Sequence, residues 1–284
     1  FMCDGPPVPQ HGPGDAHSAR EWIWERGRYE GLFAKAPTGA LKGESTPFYL
    51  WDRQSHKRIR ALIPDAKLIA VLRDPVDRAY SNWTHMWCDG LEPEADFVRA
   101  CQAEPARVAA GWAPFWRYLE LGRYGEQLAD LYETFPPEQV HVLRYRALID
   151  GLDHSLDRIC EFLGVATGAV SRAPSENVST WVEPTALNRA LQGLMRAGAS
   201  SSRWLPPAAW RRVSAPLLAA LHRHPGDRPE LPLEQRRELA AHYRDDVRLL
   251  ERLTGDSYSE WLFSPGEGTY SVRKSCGPSG RAIS

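Results

Sequence analysis

The feature that most constrains this chain is a short apolar run that ends just before a proline. Residues 68–72 read Leu-Ile-Ala-Val-Leu, which is typical of a strand buried on both faces of a parallel sheet. Pro75 cannot continue such a strand but suits the first position of a helix, and Asp74 can cap that helix. Apolar residues then recur at helical spacing over 76–87. The sequence therefore predicts a strand, a tight turn and a helix.

Three side chains around this turn could bind one anion. Arg73 follows the predicted strand, and Ser81 and His85 lie four residues apart on one helix face, which they share with Asp77. Ligands of open α/β sheets bind at the carboxyl ends of strands, and helix N-termini attract anions. The alternative is an ordinary strand–helix unit in which Arg73 pairs with Asp77 and His85 lies on a solvated face. Spacing alone leaves both interpretations open.

The same pattern recurs along the chain and predicts an α/β fold. A second apolar run, 140–145, is followed by a helical stretch that ends at Gly164. Alternating strands and helices indicate βαβ units, and hence a central parallel sheet with helices on both faces. Helical spacing predicts three further long helices, over 18–33, 47–63 and 112–135.

Composition narrows the class of protein. The chain has 284 residues, 43% of them hydrophobic, which is enough for one large α/β domain, and its formal net charge is -1. Near neutrality disfavours bulk binding to nucleic acid or to membrane surfaces. We expect no membrane-spanning segment, because no apolar run is long enough, and no signal peptide. Five scattered cysteines without a Cys-x-x-Cys pair favour reduced thiols and a cytoplasmic location.

The segment Arg73-Asp-Pro-Val-Asp-Arg-Ala-Tyr-Ser81 resembles the 3′-phosphate-binding segment of sulfotransferases that use 3′-phosphoadenosine 5′-phosphosulfate (PAPS). A histidine four residues after the serine is similar to the heparan-sulfate sulfotransferase branch and its bacterial relatives. The resemblance implies a three-layer, P-loop-type sulfotransferase fold in which Arg73 and Ser81 hold the 3′-phosphate. It also implies that His85 contacts the transferring sulfuryl group or the acceptor, that no metal is needed, and that adenosine 3′,5′-bisphosphate is the product.

A second segment, Lys42-Gly-Glu-Ser-Thr-Pro-Phe-Tyr49, resembles the family segment Gly-Glu-Lys-(Ser/Thr)-Pro-x-Tyr that lines the acceptor cleft. Ser45 stands where lysine is common, so the cleft lacks one positive charge. Glu44 is interpreted either as a catalytic group on the acceptor side or as an internal structural carboxylate. The implied acceptor is a hydroxyl or amine of a carbohydrate, a glycolipid or another small molecule.

Two further residues are carried over from the family. The stretch 122–164 resembles the family pattern around its second strand, and there Tyr145 matches a tyrosine that contacts adenine. The alternative for Tyr145 is a buried tyrosine of the sheet. Arg228 lies in a basic, glycine-containing turn at the position of a late loop that closes over the cofactor, or else in a solvated charged loop. Arg146 replaces the glutamate that usually follows the tyrosine.

The family's Lys/Arg-x-Gly-Thr-Thr loop for the 5′-phosphosulfate does not occur in this sequence. We expect that the loop precedes residue 1, so that 1–263 is an N-terminally incomplete sulfotransferase domain and 264–284 is a flexible tail. The alternative is a non-catalytic nucleotide- or glycan-binding domain that lacks the loop. A small-molecule kinase of the P-loop type is the remaining rival, and it requires a Walker loop and Mg²⁺.

Overall fold

The structure is a computed structural model, and it describes residues 1–8, 10–168, 181–201, 205–223 and 226–262. The predicted tail, 264–284, lies outside the described residues, so the proposed division of the chain stays a prediction. The described part contains two strands and many helices. None of these helices is both long enough and apolar enough to cross a membrane.

The strands are β1 (Leu68–Leu72) and β2 (Val140–Arg144). The α-helices, in chain order, are α1 (Asp15–Ala19), α2 (Arg26–Gly31), α3 (Arg53–Leu62), α4 (Pro75–Cys88), α5 (Phe97–Gln102), α6 (Glu104–Ala109), α7 (Tyr124–Tyr132), α8 (Tyr145–Asp150), α9 (Leu152–Leu163), α10 (Ala186–Ser201), α11 (Pro207–Leu221), α12 (Leu233–Ala241) and α13 (Arg244–Thr254). Short 3₁₀ turns occupy Pro114–Trp116, Glu120–Gly122, Pro137–Gln139 and Ser259–Trp261.

The two strands pair in parallel and confirm the predicted βαβ arrangement. Leu68 lies opposite Val140 and Leu72 opposite Arg144, and the chain between the strands makes the crossover. The prediction that β1 is buried on both faces was wrong within the described residues. Leu72 is buried, whereas the side chains of Ile69 and Val71 are exposed, because their face of the strand borders a cavity.

The start of α4 is formed as predicted. The Asp74 carboxylate accepts hydrogen bonds from the backbone N–H groups of Val76 (2.9 Å) and Asp77 (3.0 Å), and Pro75 takes the first helical position. The opposite face of α4 enters the core, where Trp83 stacks on its neighbours. The end of β1 and the start of α4 therefore have a fixed geometry, and Arg73 lies between them.

A salt bridge ties this helix start to the C-terminal part of the chain. Arg236 of α12 lies 3.2 Å from the carboxylate of Asp74 and also pairs with Asp77. The side chains of Arg236 and Asp74 are 10% and 7% exposed, so the pair is shielded from water. A shielded pair of this kind is costly to break from one side, because the remaining charge stays buried.

Three predicted helices are shorter or broken. The 18–33 segment forms α1 and α2 with an irregular link, in which the Arg20 guanidinium donates to the Leu205 carbonyl (2.7 Å). Helix α3 begins at Arg53 rather than at Pro47, because Asp52 caps it there. In 112–135, two 3₁₀ turns precede α7, and the buried Glu104 carboxylate accepts from backbone N–H groups between those turns. Tertiary hydrogen bonds outweigh helical spacing at these places.

Buried histidines should make stability fall in mild acid. Burial lowers the pKa of His17, His56 and His141, and the His56 ring nitrogen Nε2 donates to the Tyr49 carbonyl (2.7 Å). The unfolded chain therefore binds more protons as the pH falls through about 6.5, which costs up to about 1.4 kcal/mol per pH unit for each histidine. Urea unfolding between pH 7 and pH 5.5 measures this slope.

The variant His56→Gln should reduce the pH dependence of the free energy of unfolding by the contribution of one histidine. His154→Gln, at an exposed position of α9, is the matched control and should leave the slope unchanged. An identical slope in wild-type protein and His56→Gln would contradict the assignment.

Candidate functional site

A cavity of about 1410 Å³ lies beside the carboxyl end of β1. Arg73, Ser81 and His85 line it from β1 and α4, and Glu44 and Ser45 line it from the segment before α3. The two sequence segments that were predicted to form a site from their resemblance therefore meet at one cavity.

Arg73 lies on the ring of Tyr145. Its guanidinium carbon is 5.3 Å from the ring centroid, because β1 and β2 run in register and each of these residues directly follows its strand. Tyr145 is exposed at the start of α8, so its interpretation as a buried sheet tyrosine was wrong. The alternative pairing of Arg73 with Asp77 was also wrong, because Asp77 pairs with Arg236. Within the described residues, Arg73 has no carboxylate at ion-pair distance.

Ser81 and His85 present polar groups one turn apart on α4. The Ser81 side chain is partly buried, and its hydroxyl makes no hydrogen bond to another residue in the described part of the chain. The His85 side chain is 66% exposed, as the alternative interpretation expected, and its Nε2 lies 3.5 Å from the Asp89 carboxylate. Burial raises the pKa of Asp89, and the imidazoles of His85 and His222 oppose that rise. His85 is thus open to a ligand and is oriented by a carboxylate.

Arg228 lies beside the site, on the loop before α12. Its guanidinium carbon is 4.9 Å from the centroid of the Tyr80 ring, and the Tyr80 hydroxyl donates to the Pro229 carbonyl (2.8 Å). Desolvation lowers the pKa of Arg228, and the nearby positive charge of Arg73 lowers it further. Arg228 and Arg73 together add positive charge near α4, which is typical of a surface that binds an anion.

Glu44 lies among hydroxyl groups rather than beside a cation. Its carboxylate is 3.5 Å from the Tyr29 hydroxyl and 3.3 Å from that of Thr46, and both groups donate to it. Burial raises the pKa of Tyr49, as does the Glu44 charge nearby. The carboxylate is exposed to the cavity, so it is placed to accept a hydrogen bond from a ligand as well.

Three residues near the site were not predicted from the sequence. Arg78 and Asn82 line the cavity, and Asp89 contacts His85. Arg78 donates to the Tyr118 carbonyl, and the Asn82 amide donates to the Phe115 carbonyl (2.7 Å), which fixes both side chains in the wall. Helical spacing was the available signal, because these residues lie three or four positions from Ser81 or His85.

Aromatic rings form much of the cavity lining. They come from α2 and the residues just after it, from the segment before α3, and from the 3₁₀ turn at Pro114–Trp116. They include Tyr29, Phe33, Phe48, Tyr49, Trp51 and Phe115. The cavity therefore combines cationic and aromatic lining.

Comparisons with known proteins show which proteins the chain is similar to. A family model described as "Sulfotransferase domain" matches residues 51–190, which include the whole of β1 and α4. Heparan sulfate glucosamine 3-O-sulfotransferase 3B1 of Homo sapiens is 30% identical over 137 residues, 48% of this chain and 34% of that protein. Bifunctional heparan sulfate N-deacetylase/N-sulfotransferase 3 of Homo sapiens is 30% identical over 124 residues, 43% of this chain and 14% of that protein.

A solved structure is similar over most of the chain. The crystal structure of a sulfotransferase from Alicyclobacillus acidocaldarius matches with a TM-score of 0.67 and 25% identity, covering 90% of this chain and 81% of that one. The fold is that of an α/β protein similar to sulfotransferases. The family model, the curated relatives and the solved structure all support the PAPS-dependent sulfotransferase family. The chain spans about a third of the length of the curated relatives it first matches. Neither the kinase nor the non-catalytic alternative is favoured.

Proposed function

We propose that the protein transfers the sulfuryl group of PAPS to a hydroxyl or an amine of an acceptor. The observation that carries the proposal is the arrangement at the end of β1. Arg73, without a carboxylate partner in the described residues, lines the same cavity as Ser81 and His85 of α4. The family match adds to this, because it spans these residues.

The residues present fit the 3′-phosphate end of the donor. Arg73 offers a charged donor fork, and Ser81 offers a hydroxyl on the adjacent helix face. Tyr145 offers a ring face beside Arg73 on which an adenine can stack, and Arg228 offers a second positive charge. When bound, PAPS supplies an activated sulfuryl group on a phosphate leaving group.

The contribution of the protein is then positioning and charge neutralisation. Sulfuryl transfer resembles phosphoryl transfer in spreading negative charge over equatorial oxygens, so fixed cationic groups lower its barrier. Imidazole can take up a proton near neutral pH, and we assign to Nδ1 of His85 the removal of the acceptor proton. The other ring nitrogen, Nε2, lies 3.5 Å from the Asp89 carboxylate, which favours the tautomer with its N–H on Nε2 and leaves Nδ1 as the base. Glu44 is the second candidate base, at the acceptor end.

The acceptor is expected to be a hydroxyl or an amine compound. The named relatives act on heparan sulfate, which is an acidic glycan. Here Ser45 stands where lysine is common, and both Lys42 and Glu44 line the cavity. The aromatic lining suits the apolar face of a sugar ring or a lipid portion. We therefore propose a carbohydrate, a glycolipid or another small hydroxyl or amine compound.

Calorimetric titration with adenosine 3′,5′-bisphosphate tests the nucleotide assignment. Wild-type protein should bind it more tightly than it binds 5′-AMP or ATP, because the 3′-phosphate pairs with Arg73. Arg73→Ala should weaken binding by about 1.5–3 kcal/mol, the range for a charge-assisted hydrogen bond. Arg53→Ala, at an exposed arginine paired with Glu133, is the control and should bind as wild type.

Equal affinity of wild type and Arg73→Ala would remove the central assignment. Equal binding of 5′-AMP and of the 3′,5′-bisphosphate would contradict the role of the 3′-phosphate. Magnesium-dependent preference for ATP would support the kinase alternative instead. Transfer of labelled sulfate from PAPS to neutral and acidic acceptors, assayed in parallel, measures the activity itself.

We also propose the cytoplasm as the working compartment. Cys3, Cys88, Cys101 and Cys160 are free thiols in the structure. Burial raises the pKa of Cys88 to about 11, so this thiol is held in its unreactive protonated form. Reduced, unpaired thiols favour a reducing compartment.

A further inference from the structure

Helices α10 and α11 differ in charge from the rest of the chain. Residues 186–223 contain no aspartate or glutamate. The arginines of this stretch are Arg189, Arg196, Arg203, Arg211, Arg212 and Arg223. The whole chain has a formal net charge of -1, so the overall balance conceals a strongly basic region.

One side of this helix pair is fixed to the body of the protein. The Gln192 amide donates to the Trp87 carbonyl (2.9 Å), and Arg196 donates to the Glu92 carbonyl (3.2 Å). Arg211 forms a salt bridge with Glu21. The two helices pack on each other as well, as Gly198 lies against the Trp210 ring. The polar side chains on the inner side of the helix pair therefore have their partners within the chain.

The outer side exposes large apolar side chains. Leu187 and Leu194 of α10 are 70% and 60% exposed, and Val213 of α11 is 60% exposed. Leu187 and Leu194 lie seven residues apart and so share one helix face, along which Ala190 and Ala197 are exposed too. Side chains of this size gain most of their burial energy only when a further surface covers them.

Exposed positive charges lie on the same two helices. Arg189 of α10 and Arg212 of α11 are exposed, and neither has a carboxylate at ion-pair distance in the described part of the chain. Helices that expose both leucines and arginines, with no acidic residue, are typical of segments that lie in the interface of an anionic membrane. Leucines enter the boundary of the acyl chains while arginines contact lipid phosphates.

We propose that the outer face of α10 and α11 binds the surface of an anionic lipid bilayer. A second copy of the chain fits this face less well, because a two-fold contact would bring like-charged arginines together. Nucleic acid would use the arginines but leave the leucines uncovered. The inference is independent of the proposed sulfuryl transfer. If it is right, the net charge of the whole chain is a poor guide to membrane binding.

Co-sedimentation with lipid vesicles tests the proposal. The protein should bind vesicles that contain phosphatidylglycerol, should not bind pure phosphatidylcholine vesicles, and should be released by high salt. The pair Arg189→Gln and Arg212→Gln should weaken binding about 25-fold, because each arginine near an anionic surface contributes about a factor of five. The pair Leu187→Gln and Leu194→Gln should weaken it at least about tenfold.

Matched control variants are Leu32→Gln, at an exposed leucine that is not part of the two helices, and Arg248→Gln, at an exposed arginine of α13. Both should bind vesicles as wild type does. Since all substituted positions are exposed, urea unfolding should confirm that every variant is folded. Absence of binding to phosphatidylglycerol vesicles, or equal binding by all variants, would overturn the proposal. A self-association that the leucine pair abolishes, seen by light scattering without vesicle binding, would assign the face to a second copy.

Discussion

Arg236→Met is expected to lower the free energy of unfolding by about 3–5 kcal/mol, the range for breaking a buried ion pair from one side. Arg236 is the cation that faces both Asp74 and Asp77 at the start of α4. Methionine is similar in length and leaves little empty volume, so the loss comes mainly from the uncompensated charge of Asp74. Urea unfolding at neutral pH, monitored by circular dichroism, measures the change.

Arg248→Met is the matched control. Its partner Asp245 is fully exposed, and surface pairs contribute about 0–1 kcal/mol. Adding Asp74→Asn to Arg236→Met should recover part of the lost stability, because asparagine still caps α4 but carries no charge. A loss below about 1 kcal/mol for Arg236→Met would show that water reaches the pair and that its burial is not decisive.

His85→Ala is expected to lower the rate of sulfuryl transfer about 10²–10⁴-fold, the usual contribution of a general base. Affinity for adenosine 3′,5′-bisphosphate should change little, because Arg73 and Ser81 supply the phosphate contacts in our proposal. Transfer rates at saturating donor, measured beside calorimetric affinities, separate the two quantities. His154→Ala, at an exposed histidine of α9, should alter neither.

Two companion variants distinguish the possible roles. Asp89→Asn should lower the rate less than His85→Ala does, because the ring loses a carboxylate at 3.5 Å but keeps its basic nitrogen. Glu44→Gln should leave the rate within a small factor if His85 is the base. A large loss for Glu44→Gln together with a small one for His85→Ala would exchange the two assignments. Equal losses of rate and nucleotide affinity in His85→Ala would make His85 structural.

Local signals predicted the central unit of the fold correctly. The strand β1, the cap at Asp74 and the helix from Pro75 all depend on neighbouring residues, and all are confirmed. The parallel pairing with β2 followed from the alternation of strands and helices along the chain. Resemblance to the family then selected Arg73 and the Glu44 segment, which line one cavity although spacing alone could not relate them.

Long-range contacts explain what the sequence could not reveal. Nothing near Asp77 indicates that its partner is Arg236 rather than Arg73, since the pairing depends on how α12 packs. The break between α1 and α2 depends on the contact of Arg20 with the Leu205 carbonyl. The exposure of Leu187 could not be predicted either. Helical spacing shows which apolar residues share a face, but not whether another part of the protein covers that face.

The salt bridge between Asp74 and Arg236 also has a consequence for synthesis on the ribosome. Its two residues are 162 positions apart in the chain, so α4 is translated long before the arginine that neutralises its cap leaves the exit tunnel. Contacts of such high sequence separation form late and slow the folding of a domain. A nascent chain that ends before α12 would therefore contain Asp74 and α4 but lack Arg236, so its candidate anion site would not be stable. Expression of fragments that end before Arg236 should accordingly yield chains that depend on chaperones.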